Sequence, residues 1–177
     1  MHRKALLTLL KEHHPVTADE KAMTQATIEF VEANPACFER TLLIGHITAS
    51  ALIVSPDRQQ VVLIHHRKLD RWLQPGGHAD GDPDSRAVAF REAEEETGLT
   101  SLKLVSPAIL DVDIHPIPAR GDVPEHLHYD IRFLFEADPT EPFKLNEEVK
   151  DVQWVALNTI TTRTNSVSVL RMVQKIN

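Results

Sequence analysis

Residues 76–99 read GGHADGDPDSRAVAFREAEEETGL and join a glycine-rich acidic loop to a stretch typical of a helix. In that helix Glu92, Glu95 and Glu96 occupy positions i, i+3 and i+4, which share one face with Cβ atoms roughly 5–6 Å apart. Carboxylates this close repel one another unless a cation lies among them, and Mg²⁺ and Mn²⁺ prefer oxygen ligands. A lone acidic run would indicate a solvated face, but here the glycine loop precedes it. The stretch therefore predicts a divalent-metal site.

The same stretch resembles the Nudix box, whose pattern is G-x5-E-x7-R-E-U-x-E-E-x-G-U, with U an apolar residue. The matching positions are Gly77, Arg91, Glu92, Ala93, Glu95, Glu96, Gly98 and Leu99. The early glutamate of the pattern falls on Pro83, between Asp82 and Asp84. Either a neighbouring aspartate takes over the role of that glutamate, or the role is dispensable in this chain. A match of this length predicts membership of the superfamily.

This resemblance implies an α/β (α+β) fold, an α/β/α sandwich around a mixed β-sheet. It also implies that Glu92, Glu95 and Glu96 bind Mg²⁺, with Mn²⁺ as an alternative. A backbone carbonyl of the glycine pair is a further implied ligand, and we name Gly77. Arg91 is expected to fork onto a box carboxylate and to fix the geometry of loop and helix.

The resemblance implies one more acidic residue, shortly before a strand that contains a tryptophan. Here that strand contains Trp154, and Glu148 is the first candidate and Glu147 the second. The general base of a hydrolysis would be a carboxylate near the attacking water, either Glu95 or Glu148. The sequence does not choose between these two.

The chain of 177 residues is predicted to hold a helical N-terminal extension at 1–40 and a Nudix hydrolase domain at 41–177. A capping box formed by Thr17 and Glu20 predicts the start of a second helix in the extension, which ends near Asn34. The extension is either an element for packing or dimerisation, or a segment that covers or shapes the substrate pocket. Residues 158–176 predict a closing helix.

Polar and apolar residues alternate in a predicted strand at 126–135, after a predicted hairpin at 46–66. The strand at 109–115 carries a second polar row, and antiparallel pairing would place both rows side by side. The resulting polar band is a solvated outer face, a wall of the substrate pocket, or a second metal site. Under the pocket interpretation the candidate substrate contacts are His78, His126, His128, Asp130 and Arg132.

Composition narrows the range of partners. The formal net charge of −7 argues against a nucleic-acid polymer, whereas a bound metal would still admit a small diphosphate substrate. A single cysteine, Cys37, excludes an intramolecular disulfide and suits the cytoplasm. No apolar run predicts a membrane span, and the N-terminus predicts a helix, not a signal peptide. A homodimer remains open.

These observations predict an Mg²⁺-dependent pyrophosphohydrolase that cleaves the diphosphate linkage of a nucleoside diphosphate joined to another moiety. Two alternatives come from other classes of function. One is a catalytically weak Nudix-fold module that binds a nucleotide metabolite, for which Pro83 is the support. The other is an isopentenyl-diphosphate isomerase-like enzyme, which would need a catalytic cysteine, and the only cysteine lies in the extension.

Overall fold

The computed structural model describes residues 2–176. Met1 of the predicted extension and Asn177 of the predicted Nudix domain lie outside the described residues. The elements are α1 (Lys4–Glu12), α2 (Ala18–Ala33), β1 (Gly45–Val54), β2 (Gln60–His66), β3 (Arg71–Leu73), β4 (Gly76–His78), α3 (Ser85–Thr97), β5 (Lys103–Leu104), β6 (Asp111–Ile117), β7 (His126–Glu136), β8 (Val149–Ala156), a 3₁₀ helix (Leu157–Thr162) and α4 (Val167–Gln174). None of the described helices is long and apolar enough to cross a bilayer.

Strand β1 is the centre of a mixed sheet. It pairs in parallel with β7 along its whole length, from Gly45 opposite Leu127 onward. Its other edge is shared, because β2 pairs with it at Val54 while β4 pairs with it over 48–50. Strand β6 lies antiparallel to β7, with Asp113 opposite Asp130, and this pairing places the two polar rows side by side. The sheet therefore opens beside β1, and β4 occupies the opening.

Helices cover both faces of this sheet, and the predicted α/β/α sandwich is confirmed. On one face Ile47 and Ala49 share an apolar core with Ala89 of α3. On the other face Leu52 shares a second core with Met172 of α4. Because neighbouring residues of a strand point to opposite faces, β1 contributes to both cores.

One predicted element differs from the observed ones. The closing helix predicted at 158–176 is wrong as a single element, because the 3₁₀ helix and α4 are separate and the Ser166 hydroxyl accepts from the Val169 N–H to start α4. In the segment that leads into the glycine loop, β3 and β4 are two separate short strands. Pro75 lies between them, and it has no N–H to donate to a strand partner.

The predicted helices of the extension pack against the main core. Thr17 caps α2 by accepting from the Glu20 N–H at 3.1 Å, as the capping box predicts. Leu6 and Leu10 are buried, and the Phe30 ring stacks on Tyr129 with centroids 3.9 Å apart. Burial of this apolar surface makes α1 and α2 part of the folded unit.

A buried ionic network joins the extension, the sheet and α4. Lys175 donates to Glu20 at 2.5 Å and to Asp111 at 2.6 Å. Arg171 donates to both oxygens of Asp111, at 2.8 and 2.7 Å. Arg132, with a side chain only 2% exposed, completes the network from β7. Since each buried charge has an opposite partner, losing one member leaves another uncompensated.

We predict that Lys175→Met lowers the free energy of unfolding by about 3 kcal/mol at pH 7, because it removes the lysine cation that pairs with the buried Glu20 carboxylate. Burial alone would raise the pKa of Glu20, but hydrogen bonds from Lys175, the Val16 N–H and His13 bring it below the model-compound value of 4.5. The stability that this ionised pair contributes is fully present above pH 4.5, and it is lost as the pH falls through the lowered pKa of Glu20 in the folded protein. Denaturant unfolding from pH 7 to pH 3 should show the deficit of the variant shrinking.

The double variant Glu20→Gln, Lys175→Met is the matched control, and it should recover part of the lost stability. A deficit that stays constant over this pH range would contradict the assignment of the network as a stabilising ionic contact.

Candidate active site

The site is built around the two glycines of β4. A Cβ atom on Gly76 would lie 2.2 Å from the Ser50 Oγ, and one on Gly77 would lie 2.3 Å from the Glu92 Oε2. The Cβ on Gly76 would also lie 2.8 Å from the backbone oxygen of Ala49, so only glycine fits there, whereas a side chain at position 77 would displace the Glu92 carboxylate. The absence of side chains lets β4 fit between β1 and the acidic face of α3.

The box carboxylates occupy different environments on that face. Glu96 is 3% exposed and accepts from the Gly76 N–H at 2.9 Å. Burial raises the pKa of Glu96 to about 8, and the charges of Glu92, Glu148 and Glu95 add to the effect. Burial also raises the pKa of Glu92, against the lowering effect of Arg91. Glu95 is exposed.

Arg91 joins the loop to the helix. Its Nη2 donates to the His78 carbonyl at 3.0 Å and to the Glu92 Oε1 at 3.2 Å. Its Nη1 lies 3.8 Å from Asp82. The other acidic neighbour of Pro83, Asp84, caps α3 by accepting from the Arg86 and Ala87 N–H groups. The two aspartates beside Pro83 thus hold Arg91 and the helix start.

Glu148 lies in the loop before β8 and is exposed. Its negative charge helps to raise the pKa of both Glu92 and Glu96, so the fold brings it near the box carboxylates. The other candidate, Glu147, uses its backbone carbonyl to accept from Arg67 at 2.8 Å. Glu148 is therefore the better candidate for the additional acidic residue.

This donor set fits a hard divalent cation. Four carboxylates lie in one region, at Glu92, Glu95, Glu96 and Glu148, and Arg91 pairs with one of them, Glu92. Within the described chain the three box carboxylates are not a preassembled set of ligands. Oxygen ligands with excess negative charge match Mg²⁺ or Mn²⁺, and a cation would offset the cost of ionising buried Glu96.

The polar band on β6 and β7 is buried, so the solvated-face interpretation is wrong. Asp130 is 2% exposed and accepts from Thr48, Ser50 and the Arg132 Nε at 2.8–2.9 Å. Arg132 also donates to Asp111 and Asp113. The predicted substrate contacts of Asp130 and Arg132 are corrected to a role in the framework, since their polar atoms already have partners inside the protein.

The three predicted histidines come together at the other end of this band. His78 and His128 have ring centroids 5.0 Å apart, and His126 lies 5.3 Å from His128. Burial lowers the pKa of His78 to about 4 and also lowers that of His128. His78 and His128 are therefore neutral at pH 7, and a contact of either with phosphate would be made by an N–H group without a charge.

Sequence reasoning missed two residues of this region. The ring centroid of His46 lies 5.1 Å from that of His78 and 4.8 Å from that of His128, and no pattern within its own strand indicated this cluster. Arg40, from the segment after α2, forms a bidentate ion pair with Asp80 in the glycine loop. Arg40 lies outside the Nudix-like part of the sequence, so no motif pointed to it.

Comparison with known proteins agrees with this geometry. A family model described as the NUDIX domain matches residues 45–173. The RNA pyrophosphohydrolase of Acidiphilium cryptum (strain JF-5) is 30% identical over 92 residues, 52% of this chain and 44% of that protein. The CMP-5'-(N-acetyl-N-hydroxy-3-aminopropyl)phosphonate hydrolase of Streptomyces rubellomurinus is 26% identical over 114 residues, 62% of this chain and 52% of that protein. The chain spans about half the length of these curated relatives.

Solved structures show the same fold. An Ap4A hydrolase binary complex from C. elegans superposes with a TM-score of 0.59 at 18% identity, covering 73% of this chain and 93% of that chain. A NUDIX-family hydrolase from Clostridium perfringens gives a TM-score of 0.57 at 24% identity, covering 74% and 95%. The box residues, the sandwich and the family match over 45–173 agree, and the chain belongs to the Nudix family.

Proposed function

We propose that this protein is an Mg²⁺-dependent hydrolase that cleaves the diphosphate linkage of a nucleoside diphosphate joined to another moiety. The observation that carries the proposal is the Glu96 carboxylate, buried beside the Gly76 N–H with Glu92 and Glu95 on the same helix. An acid costs free energy to ionise in such a place. Perturbed carboxylates beside a glycine loop are typical of a metal-dependent site.

The names of the relatives support the class of substrate. They describe an RNA pyrophosphohydrolase and a CMP-phosphonate hydrolase, and the structural neighbours include an Ap4A hydrolase and a dihydroneopterin triphosphate pyrophosphohydrolase. CMP and Ap4A are nucleotides, RNA is a polymer of nucleotides, and all four names refer to hydrolysis. The net charge of −7 favours a small metabolite over a polymer.

A bound divalent ion would supply charge neutralisation at the phosphate oxygens and acidify a water. Glu92, Glu95 and Glu96 would hold that ion, with the Gly77 carbonyl as a further ligand. Arg91 keeps Glu92 against the loop through its bonds to the His78 carbonyl and the carboxylate. The exposed carboxylates, Glu95 and Glu148, remain the two candidates for the general base.

Arg40 is our candidate for a direct phosphate contact. Its guanidinium side chain is 57% exposed, and the charges of Glu92 and Glu148 act on it. Its Nε and Nη2 are bonded to Asp80, and a planar guanidinium has further N–H groups for an anion.

The two alternative functions have less support. Cys37 is fully buried, and burial raises its pKa to about 11, which argues against an isomerase that uses this thiol. A module that only binds would show no turnover. The cytoplasmic location and a homodimer stay part of the proposal, and light scattering of the purified chain would test the dimer.

The first prediction for this function concerns turnover. Release of phosphorylated products from nucleotide sugars, dinucleoside polyphosphates, nucleoside triphosphates and ADP-ribose should require millimolar Mg²⁺. Glu95→Gln and Glu96→Gln should each lower kcat by at least ~100-fold, because each removes negative charge from the metal site. Circular dichroism should show that both variants are folded.

The matched control is Glu94→Gln, because Glu94 belongs to the same acidic run but points to solvent. It should keep the activity of the unmodified protein. Full turnover in the Glu95 and Glu96 variants, or equal losses in all three, would overturn the proposed function.

The second prediction concerns Arg40. Arg40→Gln should raise KM for the best substrate of the panel by roughly 10-fold, the effect of losing one charged hydrogen bond, while kcat changes little. Arg58→Gln is the control, because Arg58 pairs with Glu136 away from the box. An unchanged KM in steady-state kinetics would contradict a phosphate contact by Arg40.

A further inference from the structure

We propose that His46, His78 and His128 form a binding site for a borderline transition-metal ion such as Zn²⁺, separate from the box carboxylates. One ring nitrogen from each histidine lies within 4.8 Å of the others. Among the described residues, these three histidines are the group of potential metal ligands whose donor atoms already lie close enough together to share one ion. The inference is independent of the proposed hydrolysis.

The sheet fixes the three positions. His46 on β1 is directly opposite His128 on the parallel strand β7. His78 on β4 is opposite Thr48, two residues further along β1, so the three side chains share one face. Each ligand thus comes from a different, paired strand, and ring rotation is the main remaining freedom.

The unmet hydrogen-bonding capacity at this place points to a ligand. Both ring nitrogens of His46 and the Nε2 of His128 are buried without a hydrogen-bond partner, and His46 is only 3% exposed. Buried polar atoms are normally paired. A metal ion among the three rings would satisfy them.

The chemistry of the ligands selects the type of metal. Imidazole nitrogens suit Zn²⁺, Co²⁺ or Ni²⁺, whereas Mg²⁺ prefers oxygen. Zinc–nitrogen bonds of about 2.0–2.1 Å put tetrahedral ligand atoms roughly 3.4 Å apart, so ring nitrogens as much as 4.8 Å apart need to close by up to about 1.4 Å. Three protein ligands leave a fourth position for water or an anionic oxygen.

The test is a titration of the chelator-treated 177-residue chain with Co²⁺ and with Zn²⁺, in millimolar Mg²⁺ added to compete for the box carboxylates. Co²⁺ should give one equivalent of tetrahedral visible absorption, and calorimetry should show one Zn²⁺ site. His128→Gln and the more exposed His78→Gln should weaken Zn²⁺ binding on the order of 100-fold. His65→Gln, at a histidine paired with Asp70, should bind like the unmodified protein.

Thermal unfolding of each metal-free variant shows whether it is folded. If His128→Gln does not fold, His78→Gln still tests the site. The absence of a Zn²⁺ site in the unmodified protein would overturn the inference. So would unchanged binding in both folded cluster variants, or loss of binding only in Glu92→Gln. None of these results bears on turnover at the box, so the two proposals fail separately.

Discussion

Strand β4 lies so close to its neighbours that a side chain at position 76 would clash with strand β1, and one at position 77 would displace the Glu92 carboxylate of α3. This close contact lets the Gly76 N–H reach the Glu96 carboxylate and leaves Glu92 against Gly77. An acid is consequently held in a dry place where its ionisation is unfavourable. The rest of the site depends on this arrangement. Arg91 can bond both the His78 carbonyl and the Glu92 carboxylate only because β4 and α3 lie side by side.

Strand β4 also separates two kinds of chemistry. Its Gly77 side faces the carboxylates of α3, and its His78 side faces the histidines of β1 and β7. Further along the same sheet face, Arg132 and its aspartates are fully paired and hold α4 in place. A single strand of three residues therefore stands between a carboxylate-rich region and a nitrogen-rich one.

Local patterns in the sequence predicted the elements that local chemistry determines. The box spacing predicted α3, the capping box predicted the start of α2, and alternation predicted the polar row of β7. Alternation cannot tell whether a polar face is covered, so the burial of Arg132 was not foreseen. His46 joins the cluster through parallel pairing of β1 with β7, 82 positions away at His128. Such distant pairing leaves no signal in either strand alone, and the same is true of Arg40 and Asp80.

Anomalous diffraction from crystals soaked in Mn²⁺ would locate the ion of the box carboxylates without relying on turnover. We predict an anomalous peak among the carboxylates of Glu92, Glu95 and Glu96, within coordination distance of the Gly76–Gly77 backbone. A structure at saturating Mn²⁺ with no peak at these carboxylates would contradict it, as would Mn²⁺ bound solely at the histidines.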